Sequence, residues 1–167
     1  LLDKGMDTGP IVAQRRYPLT FRETSDALTG TLFRLGGELL LENLFRWVDG
    51  KLEARPQDEA LATITRKLER SDGLADWNVE AAVLERRARA YSPWPGLFTQ
   101  WEGAVIKLIE VSVSRSESGI EASPGQIVSL AEGDTPVGVV TSDGVLGLKT
   151  IQLEGRRAQP TAEFVRG

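Results

Sequence analysis

A change in hydrophobic periodicity along the chain limits its possible folds more than any other feature of the sequence. Between residues 23 and 50 the apolar side chains recur at the spacing of a helix, whereas between residues 97 and 153 they alternate with polar ones in short runs. Helical spacing indicates an amphipathic helix, and alternation indicates half-buried strands. The chain is therefore predicted to contain an α/β first part and a small β-rich second part.

The first part begins with a turn between two extended segments. The turn formers are Asp3, Gly5, Asp7, Gly9 and Pro10. Residues 11–17 are rich in β-branched and aromatic side chains, so they are predicted to form a strand.

A long helix is predicted to follow this strand. Residues 23–26 are good N-terminal residues for a helix, and Asp49-Gly50 is a stop signal. The predicted buried face consists of Leu28, Leu32, Leu35 and Leu39. We expect Gly36-Gly37 to break or kink the helix, because glycine is a weak helix former.

Residues 51–71 lose this periodicity and are predicted to be a surface linker, with one short strand near residues 62–64. The predicted domains are therefore residues 1–50, which end an α/β domain, and residues 72–167, which follow the linker.

A second helix is expected to begin near Asp76, a good N-cap residue, and to end before Pro93. Its buried stripe consists of Trp77, Ala81, Leu84, Ala88 and Tyr91. At helical spacing, Arg86 and Arg89 lie on the opposite face.

The rest of the chain contains five predicted strands separated by turn signals. The strands are residues 97–101, 104–113, 126–130, 137–141 and 145–153. The turns carry Glu102-Gly103, Ser123-Pro124-Gly125, Glu132-Gly133-Asp134 and Asp143-Gly144. Such a series favours a small closed or nearly closed barrel, because closure removes exposed sheet edges. We expect an OB-like barrel with a short terminal helix at residues 161–165.

Cysteine and histidine are both absent from the sequence. Disulfides, thiolate nucleophiles, serine–histidine dyads and the usual transition-metal ligands are thereby excluded. Any chemistry must rest on carboxylates, Lys, Arg, Tyr and backbone groups, and no metal is expected. The lack of cysteine favours the cytoplasm. No apolar stretch reaches the roughly 20 residues of a bilayer span, so no membrane contact is expected.

The net charge of −4 argues against a dominant nucleic-acid footprint, because phosphate binding rests on clustered Lys and Arg. Positive charge is local. Residues 51–70 carry five basic and four acidic side chains, and Arg66, Lys67 and Arg70 are close together.

Several short motifs occur in a fixed order along the chain. They are residues 3–11 (DKGMDTGPI), Lys67-Leu68, Asp76-Trp77, residues 84–96 (LERRARAYSPWPG), Pro124-Gly125-Gln126-Ile127 and residues 148–155. The first fits D-x-G-x-D-T-G-x-I, the loop of folate-dependent formyltransferases, and the fourth fits L-x-R-x-x-R-A-x-x-P-W-P-G. Together they resemble the C-terminal half of the methionyl-tRNA formyltransferase family.

This resemblance implies the end of a Rossmann-like formyltransferase domain joined to a small OB-like β-barrel. It also implies a reaction in which the amine of methionine on initiator tRNA attacks the formyl carbon of 10-formyltetrahydrofolate. Asp7 would be the catalytic carboxylate. The loop residues Gly5, Met6, Asp7, Thr8 and Gly9 would contact the folate co-substrate. The residues expected to contact tRNA are Arg66, Lys67, Arg86 and Arg89, and the protein is expected to be a monomer.

In that family an asparagine and a histidine act with the aspartate, and both precede the aspartate loop. The absence of histidine here, and Leu rather than Met at position 1, indicate a cut inside a longer protein. The chain alone is therefore expected to be inactive.

Two other functions fit parts of the pattern. A sugar-nucleotide N-formyltransferase shares the aspartate loop and a similar barrel, whereas Pro93-Trp94-Pro95-Gly96 favours the tRNA enzyme. A non-catalytic OB-type module that binds nucleic acid or protein would leave Asp7 as a turn residue only. Asp-Thr-Gly also occurs in aspartic proteases, but there an apolar strand leads directly into the motif, and here Lys4-Gly5-Met6 precedes it.

Overall fold

The computed structural model describes residues 1–114, 122–130 and 135–166. The chain divides into two compact units, Leu1–Lys67 and Leu68–Gly167. The predicted turn Glu132-Gly133-Asp134 lies outside the described residues. No helix in the described part of the chain is both long enough and apolar enough to cross a membrane.

The first unit is built around one long helix, α1 (Ser25–Val48). The Thr24 hydroxyl caps its N-terminus by accepting a hydrogen bond from the Ala27 N–H at 3.3 Å. After the C-cap residue Asp49, Gly50 adopts a φ of 71°, which glycine tolerates without strain. Both predicted ends of the helix are confirmed.

Two predictions about the middle of α1 are wrong. The helix is continuous through Gly36-Gly37, because a cost of about 1 kcal/mol per glycine does not outweigh the helical hydrogen bonds of the leucine-rich flanks. No residue of α1 is buried, and Leu32 is 42% exposed. The first unit, all of whose residues the structure describes, contains no β-sheet against which the leucines could pack.

The predicted strand over residues 11–17 is wrong beyond its first residue. Ile11 and Arg55 form an isolated antiparallel bridge, in which each N–H donates to the other's carbonyl oxygen at 2.8 and 2.9 Å. Residues 12–17 and 62–64 form no strand. Backbone groups of a strand need a neighbouring strand as their partner, so β-propensity alone does not produce one here.

The second unit is an antiparallel sheet with one helix packed on it. Its elements in chain order are a 3₁₀ helix (Arg70–Gly73), α2 (Ala81–Ala90), β1 (Phe98–Trp101), β2 (Ala104–Ser114), β3 (Ile127–Ser129), β4 (Val137–Val140), β5 (Val145–Leu153), β6 (Gln159–Pro160) and α3 (Thr161–Phe164). The five predicted strands and the terminal helix are confirmed to within one residue at each end. β6, with two residues, was too short to predict.

The predicted closure of the barrel is not observed among the described strands. The strand order is β1-β2-β5-β4-β3, with β6 paired to β5, so β1 and β3 end the series without pairing to each other. Closure would require hydrogen bonds between these two strands, and β3 offers only three residues for them. The described sheet is therefore six-stranded and open.

The core of the second unit lies between α2 and the sheet. On α2 the buried residues are Ala81, Leu84 and Ala88. They pack in one cluster with Leu97, Ile106, Leu108, Val139, Leu146, Leu148 and Ile151. The predicted apolar stripe of this helix is confirmed at its three central positions.

The predicted start of this helix at Asp76 is wrong, because α2 begins at Ala81. A carboxylate oxygen of Asp76 accepts hydrogen bonds from the Asn78 N–H at 3.0 Å and from the Asn78 side chain at 3.1 Å. These bonds lower the pKa of the Asp76 carboxyl below its usual value. Asp76 therefore stabilises a turn that precedes the helix, which is an alternative use of a good capping residue.

Gly73 is predicted to be intolerant of any side chain. A Cβ atom at this position would lie 2.1 Å from the carbonyl oxygen of Gly96, which is backbone and cannot rotate away. We expect Gly73→Ala to lower the free energy of unfolding of the second unit by ~1–3 kcal/mol, measured by urea titration of tryptophan fluorescence. The same change at Gly37 of α1, where an added Cβ would have no neighbouring atom within 4 Å, should be neutral or stabilising by ~0.5–1 kcal/mol. Equal destabilisation by both variants would contradict this account.

Candidate functional site

The loop of residues 5–9 is a tight turn within the first unit. Asp7 adopts a φ of 57°, a left-handed conformation that is uncommon for a residue other than glycine. A Cβ atom at Gly9 would lie 1.8 Å from the carbonyl oxygen of Leu1. The Gly that follows Asp-Thr is therefore required because another part of the backbone passes directly against it.

Gln57 fixes this loop from a distant part of the same unit. Its side-chain Nε2 donates hydrogen bonds to the carbonyl oxygens of Asp7, at 2.6 Å, and Gly9, at 2.8 Å. Ile11, two residues after Gly9, pairs with Arg55, two residues before Gln57, and this antiparallel bridge holds the two segments together. The sequence alone did not indicate Gln57, because a single glutamine in a segment without periodicity forms no recognisable motif. Gln57 comes close to the loop only because Ile11 pairs with Arg55.

A cavity of about 600 Å³ lies between this loop and α1. Asp7, Gly9 and Gln57 line one side of it. The helix contributes Gly36, Leu39, Leu40, Asn43, Leu44 and Trp47. A largely apolar lining with a few polar groups, in this range of volume, is typical of a site for a small organic molecule.

The arrangement places one carboxylate beside an apolar surface. Asp7 is exposed, and among the described residues no donor is hydrogen-bonded to its carboxylate. Such a carboxylate can accept a proton from a bound molecule. No Lys or Arg occurs among the described residues that line the cavity, so their side chains supply no cation for an oxyanion or a phosphate. No group of three or more acidic side chains that could hold a metal ion occurs in the described part of the chain.

The basic residues expected to contact tRNA are divided between the two units. Arg66 and Lys67 are both exposed at the end of the first unit, where Arg66 Nη1 donates to the Lys67 carbonyl oxygen at 3.1 Å. Arg86 is exposed on α2 of the second unit. Arg89 is half-buried, and its guanidinium binds both carboxylate oxygens of Glu85 at 2.6 and 3.0 Å. Arg89 therefore already has an ionic partner on its own helix, one turn away.

Residues 67–167 match the family described as formyl transferase, C-terminal domain, which is more than half of the chain. The chain belongs to this family. Its membership confirms the resemblance that the ordered motifs indicated.

A similar full-length relative is the methionyl-tRNA formyltransferase of Roseiflexus castenholzii. It is 43% identical over 167 residues, which are 100% of this chain and 52% of the relative. The chain thus spans about half the length of the curated relatives it matches.

Solved structures share the fold at lower identity. HypX from Aquifex aeolicus in complex with tetrahydrofolic acid gives a TM-score of 0.64 at 20% identity, over 98% of this chain and 28% of that one. The N-formyltransferase from Helicobacter canadensis, in complex with folinic acid and dTDP-3-aminofucose, gives 0.63 at 16% identity, over 95% of this chain and 53% of that one. At these identities the likeness establishes the fold alone.

Replacement of Gln57 is predicted to loosen the aspartate loop. Gln57→Ala removes two hydrogen bonds, each with a net value of ~0.5–1.5 kcal/mol, so the open population of the loop should rise by about fivefold or more. Limited trypsin digestion at the Lys4–Gly5 bond would measure this opening as a faster cleavage. Gln57→Glu should act at least as strongly, because a carboxylate would then face two carbonyl oxygens.

Gln14→Ala is the matched control, since Gln14 is an exposed glutamine of the same unit. An equal rate of cleavage at Lys4 in the Gln57 and Gln14 variants would show that Gln57 does not hold the loop.

Proposed function

We propose that this chain is the C-terminal half of a methionyl-tRNA formyltransferase, an enzyme of translation initiation that formylates the methionine of initiator tRNA. The observation that carries this proposal is the 43% identity, over the whole chain, with a relative of that name. The fold shared with the two solved structures is consistent with it. Because the relatives are about twice as long, the activity belongs to a larger protein than these residues.

In this proposal the first unit is the end of a Rossmann-like catalytic domain, and residues 51–71 link it to an OB-like C-terminal domain. The exposed apolar side chains of α1 support the first part, since Phe33, Leu41 and Phe45 are 79%, 72% and 74% exposed. A helix with so much exposed apolar surface is typical of an interior element whose covering layer is elsewhere. The missing layer would be the α/β segment that precedes this region in the relatives.

Asp7 acts as the proton acceptor in the proposed reaction. The methionine amine forms a new bond to the formyl carbon of 10-formyltetrahydrofolate, and the bond from that carbon to folate N10 then breaks, with N10 taking up one proton so that neutral tetrahydrofolate leaves. The attacking nitrogen must lose a proton, which passes to the Asp7 carboxylate through an ordered water. The exposed Asp7 carboxylate, in a loop fixed by Gln57, is suited to this task because a fixed position lowers the entropy cost of proton transfer.

The folate co-substrate is proposed to contact the loop Gly5, Met6, Asp7, Thr8 and Gly9. The cavity beside this loop is large enough for a small organic molecule and is mostly apolar. HypX, which shares the fold, was crystallised with tetrahydrofolic acid. We assign the oxyanion donor to the upstream asparagine and histidine of the family, since the described lining carries no Lys or Arg side chain.

Arg66, Lys67 and Arg86 are proposed to bind phosphates of the tRNA. All three carry a positive charge that solvent reaches, and phosphate oxygens can approach such a charge from the surface. Arg89 would have to leave Glu85 first, so its contribution to tRNA binding should be smaller. The cytoplasmic location and the monomeric state stay predictions of the same family resemblance.

The 167-residue chain alone is predicted to be inactive. It supplies a proton acceptor, but it lacks the upstream asparagine and histidine to which the proposal assigns the oxyanion donor, a group that typically contributes ~10²–10³-fold to the rate of acyl transfer. Incubation with 10-formyltetrahydrofolate and Met-tRNA, followed by acid-gel separation of formylated tRNA, should show no product above the protein-free control. Turnover by the isolated chain would contradict the assignment of a half-site.

Asp7→Asn is predicted to abolish most of the activity of a chimera in which the chain follows the unmatched first half of the Roseiflexus relative. The amide keeps the shape of the carboxylate and cannot accept the amine proton, so kcat should fall by ~10²–10⁴-fold with little change in the folate KM. Asp3→Asn is the matched control, because Asp3 is an exposed aspartate of the same segment and does not line the cavity. Equal activity of the two variants would mean that Asp7 is a turn residue only.

A further inference from the structure

A shallow groove on the second unit carries two cations outside the site described above. It has a volume of about 190 Å³, and its side chains come from Arg70, Val105, Lys107, Gln152, Leu153 and Glu154. We call it the Arg70–Lys107 groove. None of these residues belongs to α2, which carries the predicted tRNA contacts of this unit.

The sheet itself places Lys107 and Gln152 side by side. On β2 the neighbours of Lys107, Ile106 and Leu108, are buried at 6% and 2% exposure, so Lys107 points away from the core. Lys107 and Gln152 are direct cross-strand partners in the β2–β5 pairing. Their side chains therefore share one face, with Cβ atoms roughly 5 Å apart.

Arg70 reaches the groove from the 3₁₀ helix that opens the second unit. The Glu69 N–H donates to an Asp72 carboxylate oxygen at 2.7 Å, which fixes the backbone on either side of Arg70. Within the described part of the chain, neither Arg70 nor Lys107 makes an ion pair. Two cations that form no ion pair with a described residue are thus present at one small surface.

The turn after β5 adds further positive charge to the rim. Gln152 Nε2 donates to the Arg156 carbonyl oxygen at 2.8 Å, and the Arg156 N–H donates to the Leu153 carbonyl oxygen at 2.9 Å. Arg156 and Arg157 are both exposed. Glu154 is the one carboxylate among the described residues that line the groove.

We propose that the Arg70–Lys107 groove binds a phosphodiester group of the tRNA backbone. This rests on the proposed function and adds a contact on the sheet to those on the linker and on α2. The guanidinium of Arg70 and the ammonium of Lys107 both donate to phosphate oxygens, and the amide of Gln152 lies beside them. The chain carries a net charge of −4, so RNA must bind where the cations are locally concentrated. Glu154 repels the same phosphate and limits the affinity.

The test measures the affinity of the full 167-residue chain for labelled initiator tRNA as a function of salt. The double variant Arg70→Gln/Lys107→Gln removes two positive charges from the groove. Its matched control, Arg34→Gln/Lys51→Gln, removes two exposed positive charges from the first unit, where surface ion pairs contribute little to stability. Glu154→Gln removes the one negative charge among the described groove residues. Circular dichroism verifies that each variant is folded.

The groove variant should bind tRNA on the order of tenfold more weakly at low salt, and its log–log salt slope should be smaller in magnitude by about one, since one phosphate contact is lost. Glu154→Gln should bind about threefold more tightly, an effect that misfolding cannot produce. The control should keep the salt slope of the unmodified chain. Equal losses in the groove variant and the control, or an unmodified chain that does not bind tRNA, would overturn the proposal.

The same variants separate this inference from the proposed function. If the chimera formylates Met-tRNA in an Asp7-dependent way while the groove variant keeps its tRNA affinity and salt slope, the groove proposal is wrong and the enzymatic assignment stands. If the groove variant loses affinity as expected while Asp7→Asn keeps full turnover, the groove binds RNA and the assignment of Asp7 is wrong.

Discussion

The unequal distribution of buried apolar surface between the two units is the constraint on which the rest of the structure depends. Every buried hydrophobic side chain of the described residues lies between Ala75 and Ile151, in the second unit. Leu84 of α2 is fully buried against the sheet, and burial of one such side chain contributes roughly 1.5–3 kcal/mol. The second unit therefore has a hydrophobic core of its own, whereas the first unit has a long helix with no buried residue.

This asymmetry determines what the candidate site can be. In the first unit the aspartate loop is held by backbone pairing and by Gln57 rather than by a core. These polar contacts fix the position of Asp7 on one side of a cavity whose other side is the apolar surface of α1. In the proposed function, the Asp7 carboxylate and this apolar wall would form one part of a formyl-transfer site. The relatives are about twice as long as this chain, and under the same proposal their additional residues would supply the remaining groups.

Sequence patterns predicted the second unit well because its secondary structure is determined locally. Alternating apolar and polar side chains specify the strands, and glycine turns such as Asp143-Gly144 specify their ends. Each of these strands pairs with another strand of the same unit. The predicted strand at residues 11–17 was wrong because, in the described chain, only Ile11 has a backbone pairing partner on another segment. The predicted barrel closure is not observed among the described strands either, because closure depends on pairing between the edge strands, which residue alternation does not encode. Gln57 was missed because its role depends on a contact with a loop 50 residues earlier.

The measurement that tests the central claim most directly is a comparison of acceptors by the chimera that joins this chain to the first half of the Roseiflexus relative. Initiator Met-tRNA and a dTDP-amino sugar would each be supplied with 10-formyltetrahydrofolate, and kcat/KM would be determined for both. Formylation of Met-tRNA is expected with at least ~100-fold preference, since the tRNA backbone offers many phosphates to the proposed basic contacts whereas the sugar nucleotide offers a single diphosphate. Preferential formylation of the amino sugar, or no difference between the two acceptors, would contradict it.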